Sequence, residues 1–228
     1  MKEALLVLLG WIAFGGTHIF LSHGRIREGL LGRLGEKGYS GLYSIVALAT
    51  FYFLVTAYFG HRHAGPQLWD LRFNLPAVRL VEGFGYVAFF FMGAGLLSPS
   101  PLSMIGRTGY GPRGLLRITR HPFTMGSALL GVAHCIVNGF PSDLAFFGGL
   151  AAFSIAGAFH QDARKRRAAK PEQISFFEQT SIIPFAAVMS GRQKLKFGEF
   201  PWIPGLAGVA GAIVIRMYHD NWWGIPVL

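Results

Sequence analysis

The chain carries eight histidines and a single cysteine, Cys135, and any reactive chemistry has to be sought among these. Two imidazoles lie well inside apolar stretches: His18 in GGTHIFLSHGR and His134 in GVAHCIVNG. His121 opens a further stretch in RITRHP, His61 and His63 flank the end of another, and His23, His160 and His219 stand at stretch ends. An ionisable side chain at membrane depth is costly and usually faces a cavity, a partner or a cofactor. Neutral imidazole is the cheapest such group to bury, and two of them on facing helices suit the iron of a porphyrin. The plainer alternative is that each ring bonds a neighbouring carbonyl across a helix interface. The pattern alone leaves both open. Gly15 and Gly16 beside His18, and Gly126 and Gly131 before His134, leave room for a flat ligand but serve close helix packing equally well.

Other chemistries lack their motifs. There is no P-loop, no dinucleotide glycine fingerprint, no HExxH, no CxxC and no GxSxG elbow. Carboxylates are almost absent from the apolar stretches, so paired acid–base catalysis has no obvious site. One cysteine also excludes covalent haem attachment, which wants CxxCH, so a haem here would be held non-covalently.

The elements that must position these residues follow from composition. Of 228 residues, 52% are hydrophobic and only 14% charged, with a mean hydropathy of +0.41. A soluble domain carries about a quarter charged residues. Charges are absent from Ala4–Ser22, Ser40–Gly60 and Pro122–Phe140. They are reduced to Glu82 in Leu80–Ser98 and to Asp143 in Ser142–Phe159. A bilayer core of about 30 Å takes about 20 apolar residues. Five windows qualify, and a sixth, Pro201–Ile215, ends at Arg216, whose stem can snorkel to the interface. The expectation is an all-α, polytopic integral membrane helix bundle of about six transmembrane helices forming one domain over 1–228. The spans fall at about 4–22, 40–60, 80–98, 122–140, 142–159 and 201–217. Lys2 before the first window is compatible with a signal peptide, but Ser22-His23-Gly24-Arg25 lacks a small-x-small cleavage pattern. No Arg- and Ser-rich transit segment precedes it, which predicts a bacterial or already processed chain.

The net charge of +10 is mostly topology. The loops after spans one, three and five hold sixteen basic residues, among them Arg25, Arg107, Arg117, Arg120 and the run Arg164–Arg167; the opposite face holds five. The positive-inside rule places the sixteen in the cytoplasm and both termini outside, in a bacterial inner membrane, and removes nucleic acid as a partner. Trp69, Trp202, Trp222 and Trp223 are expected as an interfacial belt on the outer side. Ser98–Thr119 reads as a turn region or loop, and Thr180–Met189 (TSIIPFAAVM) as a re-entrant or interfacial piece.

Several segments resemble the NnrU family, whose plant members are the zeta-carotene isomerases. They are HIFLSHGR (His18–Arg25), GEKGYSGLYSIVAL (Gly35–Leu48), RITRHP (Arg117–Pro122), MGSALLGVAHCIVNG (Met125–Gly139) and TSIIPFAAVMSGRQKL (Thr180–Leu195), in family order over nearly the whole chain. The resemblance implies an integral membrane protein holding haem b through two histidines, which fall on His18 and His134. The cysteine that the plant isomerases place one turn before the second ligand is Gly131 here, so a thiolate-switching step is not carried over. RHP by itself also resembles isoprenylcysteine-type membrane methyltransferases, where it lies near the cofactor.

Depth favours a different pairing. His134 stands 13 residues beyond His121, about 20 Å into the membrane, while His18 is about 6 Å deep. His121 is therefore the competitor of His134 for pairing with His18. Arg25, Arg117 and Arg120 share that interface, where guanidinium forks suit haem propionates, although ordinary positive-inside charges read the same way. Three functions remain open. The leading one is a redox-gated cis–trans isomerase of a conjugated polyene. The others are a haem protein of nitrogen-oxide metabolism or electron transfer, with an unidentified electron donor, and a methyltransferase. The expected partners are the lipid bilayer and an apolar small molecule.

Overall fold

The computed structural model describes residues 1–97, 111–167, 169 and 171–223, so Arg107 and most of the glycine-rich segment after span three lie outside the described residues. The architecture is helical and consistent with a membrane bundle. The long helices are α1 (Lys2–Ser22), α2 (Gly24–Phe59), α3 (Leu75–Leu97), α4 (Pro122–Val137) and α5 (Pro141–Arg167). Two short helices follow, α6 (Pro171–Gln179) and α7 (Ala186–Met189), and α8 (Trp202–Trp223) ends the described chain. Packing runs in a row: α2 on α1, α1 on α5, α5 on α4, α4 on α3 and α3 on α8.

Among the described residues four helices, α1, α2, α3 and α5, are long and apolar enough to cross a membrane, and α4 is apolar but shorter. Large side chains point away from the bundle: Ile12, Leu48, Leu96 and Ile203 are all exposed. Water would oppose so continuous an apolar exterior, whereas lipid favours it.

Several expected boundaries move. The basic stretch after α1, expected as a loop, is helical from Gly24 and joins the second span. At 36 residues the joined helix would run about 54 Å if straight, longer than a bilayer core requires. It breaks at Gly35 (φ 67, ψ 176), a positive-φ conformation open to glycine, which separates residues 24–34 from a second helical piece that turns apolar after Glu36 and Lys37. The fourth span ends early, at Val137, because Asn138 leaves the helix to bridge Asp70. Gly139 there lies so close to the Trp69 backbone that a Cβ would collide with it. Thr180–Met189 is anchored to the segment before α4: Arg120 N–H donates to the Ser181 carbonyl, Phe185 N–H to that of Ile118, and Thr119 Oγ1 to that of Ile182. Trp202, expected in one belt with Trp69, stands at the other end of the bundle. It packs on Phe200 and Phe90, next to Glu199 and its partner Arg117, because α8 begins where the basic loops are.

Candidate functional site

The bundle has two chemically different ends. At the basic end, between the segment before α4 and the segments around α5–α8, the arginines meet acids of the same chain. Arg117 donates Nε and Nη2 to Glu199 (2.9 and 3.1 Å) and Nη1 to Gln193 (2.6 Å). The guanidinium draws the Glu199 carboxyl down from its ordinary 4.5 to about 2. Arg120, 5% exposed, donates Nη1 to Asp162 at 2.9 Å and Nη2 to the Thr180 carbonyl at 3.0 Å. Burial lowers the pKa of this guanidinium, and the Asp162 charge opposes the shift. The other Asp162 oxygen lies 2.9 Å from His121 Nε2. Asp162, one charge near the end of α5, therefore ties the RITRHP segment to the bundle.

The opposite end holds a half-open cavity of about 490 Å³, bounded by the C-terminal halves of α2, α4 and α8 and the N-terminal halves of α3 and α5. That is the size of a site for a drug-sized or cofactor-sized molecule. Its walls are largely apolar, with rings from Phe51, Tyr58, Phe89, Phe146 and Phe147. Three imidazoles line it, His134, His63 and His219, as do Arg62, Arg72 and Arg216. Glu82, its lining carboxylate, is held by Arg216 Nε at 2.7 Å and Arg79 Nη1 at 2.8 Å. Arg72 grips Asp70 through two bonds, at 2.9 and 2.7 Å, and draws its carboxyl down to about 2.

The local sequence explains how His63 reaches this wall. Helix α2 stops at Gly60, and the chain turns through His63 and Gly65, both at positive φ. Mutual bonds between Ala64 and Ser142 clamp the turn to the start of α5. Asp143 follows in the first turn of α5, where the helix N-terminus favours a negative charge. It is fully buried and accepts from Tyr58 O–H (3.1 Å) and His63 N–H (3.2 Å), with His63 Nδ1 at 2.6 Å.

The predicted site residues divide between the two ends. His134 stands in the cavity wall, stacked on Phe147 with Nδ1 at 2.9 Å from the Leu130 carbonyl. His18 does not line the cavity. It lies between α1, α2 and α5 against Phe14, Tyr43 and Phe153, and Phe14 also touches Phe51 of the cavity wall. One aromatic layer thus separates His18 from the floor. His121, Arg117 and Arg120 belong to the basic end, and Arg25 is exposed on the first turn of α2. Gly131 presses against α5: a Cβ there would meet the Phe147 carbonyl and the Ala151 N–H. A cysteine at 131 has no room in this packing.

A family model, described as "NnrU protein", matches residues 6–227. The chain belongs to the NnrU family. This NnrU chain is 29% identical over 192 residues to the chloroplastic 15-cis-zeta-carotene isomerase of Arabidopsis thaliana, covering 82% of the chain and 52% of the relative. It is 26% identical over 196 residues to the enzyme of the same name from Zea mays, covering 85% of the chain and 53% of the relative. The chain therefore spans about half the length of the curated relatives it matches. No solved structure matches it.

Sequence reasoning passed over the NnrU chain's Asp143 and Asp162. Each is a lone acid near one end of an apolar helix, and its partners come from segments 80 and 42 residues away. The available signal was the cost of a carboxylate beside lipid, which demands a partner. The bases that meet this demand are His63, to which no role had been given, and Arg120, which had been expected at a haem propionate.

Proposed function

We propose that this protein is a cis–trans isomerase of a carotenoid-like conjugated polyene, with non-covalent haem b as its cofactor and the basic end of the bundle facing the cytoplasm. The observation that carries the reading is the cavity of about 490 Å³ with aromatic walls, in a chain similar to two zeta-carotene isomerases. Its residues also fit haem b. No group of three or more His, Cys, Asp or Glu suited to a bare metal ion occurs among the described residues. An ion in this cavity would have to bring most of its own ligands, as a porphyrin does. His134 would then hold the iron from the wall, and Arg62, Arg72 and Arg216 line the same cavity, where their positive charge suits the group's carboxylates.

The polyene offers no group for proton transfer, and the carboxylates at the cavity offer no base. Glu82 is tied to two arginines, and Asp143 to Tyr58 and His63. A metal centre supplies what remains, lowering the order of a double bond by coordination or one-electron exchange. The chain's part is to exclude water, hold the polyene against Phe51, Phe146 and Phe147, and control access to the metal. An imidazole that held the group would also control access to it, since the polyene could approach the metal only where that imidazole gave way. Lower charge on the metal weakens its hold on a neutral nitrogen, so the proposal includes a redox gate. Haem-loaded protein assayed with zeta-carotene isomers should convert a cis bond under dithionite and do little under ferricyanide. Equal rates in both, or in haem-free protein, would refute the gate; no conversion under either would refute the isomerase reading and favour nitrogen-oxide chemistry.

A further inference from the structure

The helices that wall the cavity do not seal it. In the packing row α2 stands at one end and α8 at the other, yet both line the same cavity. Among the described residues, α2 packs on α1 and touches α5, and forms no packed interface with α3, α4 or α8. The row therefore curls until its ends face each other, and the seam between α2 and α8 stays open.

Helical spacing shows which side chains stand at the seam. On α2, Phe51, Val55 and Phe59 recur every four residues and line the cavity, in a stripe about 12 Å long. Phe51 and Phe59 are also 47% and 41% exposed, so each faces the cavity and the exterior at once. On α8, Ala212 and Ile215 line the cavity, while Ile213, Val214 and Met217 beside them are exposed. Tyr52 and Phe53 continue the exposed surface on α2. The surface on either side of the seam is apolar, so the seam leads into hydrocarbon and not into water.

One wall residue has no packing reason for its identity. Gly85 lines the cavity from α3, and a Cβ there would meet nothing within 4 Å. Gly93 and Gly95 of the same helix differ, since a Cβ at either would collide with α8 or α4. An interior glycine weakens a helix relative to alanine, and at Gly85 no neighbouring helix gains from it. What it leaves is space inside the cavity.

We propose that the seam between α2 and α8 is a lateral entrance, through which a long apolar chain passes from the bilayer into the cavity, and that Gly85 leaves room for it there. The inference rests on the polyene reading above and adds the route and the posture of the substrate. A cavity of about 490 Å³ suits one drug-sized molecule. A carotenoid-like polyene is longer than that. It binds with its reacting segment inside the cavity and its ends in the lipid beyond Phe51 and Phe59.

The test uses the full-length protein in lipid nanodiscs that contain zeta-carotene. The photoreactive residue p-benzoylphenylalanine replaces Phe51 or Phe59, or, as controls, Ile12 or Leu48, which are more exposed than either but stand away from the cavity. After irradiation, mass spectrometry counts the chains that carry the polyene. The two seam positions should capture it about tenfold more often than the controls, a preference of 1.4 kcal/mol. Gly85→Trp fills the cavity where no protein atom is in the way, and it should bring both seam positions down to the control level. Equal capture at all four positions would overturn the entrance. So would undiminished capture at the seam in Gly85→Trp, because the chain would then lie on the outer surface alone. Conversion of zeta-carotene without enrichment at Phe51 and Phe59 would overturn the entrance and leave the isomerase reading standing. Enrichment without conversion would do the reverse.

Discussion

Asp162 is the residue on which the basic end depends. Its carboxylate, 6% exposed, lies 2.9 Å from Arg120 Nη1 and 2.9 Å from His121 Nε2, while Arg120 itself is 5% exposed. Asp162→Ala removes the counter-charge and leaves a buried guanidinium supported by the Thr180 carbonyl, with Arg166 nearby. Breaking a buried ion pair from one side costs about 3–5 kcal/mol. For a chain of this size each kcal/mol lowers Tm by roughly 2–4 °C, which gives a drop of about 6–20 °C. The double variant Arg120→Met/Asp162→Ala removes the uncompensated charge together with its partner, and it should recover most of that loss, since deleting both members of such a pair is often nearly neutral. Thermal unfolding of detergent-solubilised protein, followed by tryptophan fluorescence, measures both variants, and the Arg120→Met single variant closes the double-mutant cycle. Equal melting temperatures for the single and double variants would refute the coupling. If haem binds in the cavity as proposed, the double variant should take it up as the parent does, because Arg120 is committed to Asp162 at the end of the bundle away from the cavity. Loss of haem from a folded double variant would assign Arg120 to the cofactor instead.

Gly131→Ala should lower Tm despite the better helix propensity of alanine, because the new Cβ meets the α5 backbone at Phe147 and Ala151; over-packing of about 1–3 kcal/mol outweighs a gain of about 1, and an unchanged or higher Tm would contradict the α4–α5 contact. Glu199 has its carboxyl depressed from 4.5 to about 2 by Arg117, so the pair contributes stability that is fully present above pH 4.5 and disappears as the pH falls toward 2. In a pH series of melting curves, Glu199→Gln should flatten that part of the acid limb, and a limb identical to the parent's would refute the assignment. Trp202 should be quenched by an aqueous agent from the side that carries the basic loops, and Trp69 from the other; quenching of both from one side would refute the placement of α8.

The sequence by itself determined the class of fold and the position of most of the long apolar helices. A window of about 20 residues without charge is a property of the chain alone, because the cost of charge in hydrocarbon does not depend on what the helix packs against. The helical stretch at Gly24–Leu34, joined to the second span, and the early end of the fourth helix were hidden. Both depend on partners outside the window: the first on where a glycine break falls, the second on Asp70 and Trp69 pulling Asn138 and Gly139 out of the helix. The candidate site was half legible. His134 was recognisable as an imidazole at membrane depth, and the structure places it in a cavity. That His63 shares the cavity while His18 stands behind Phe14 is a matter of which helix faces converge. The rotation of each helix about its axis is set by packing such as Gly131 on Phe147 and Gly149 on Trp11. The same holds for Arg117 and Arg120. Their charge and their place at the basic end of the bundle could be read from position, but only the tertiary structure brought Glu199 and Asp162 from 82 and 42 residues away to bind them.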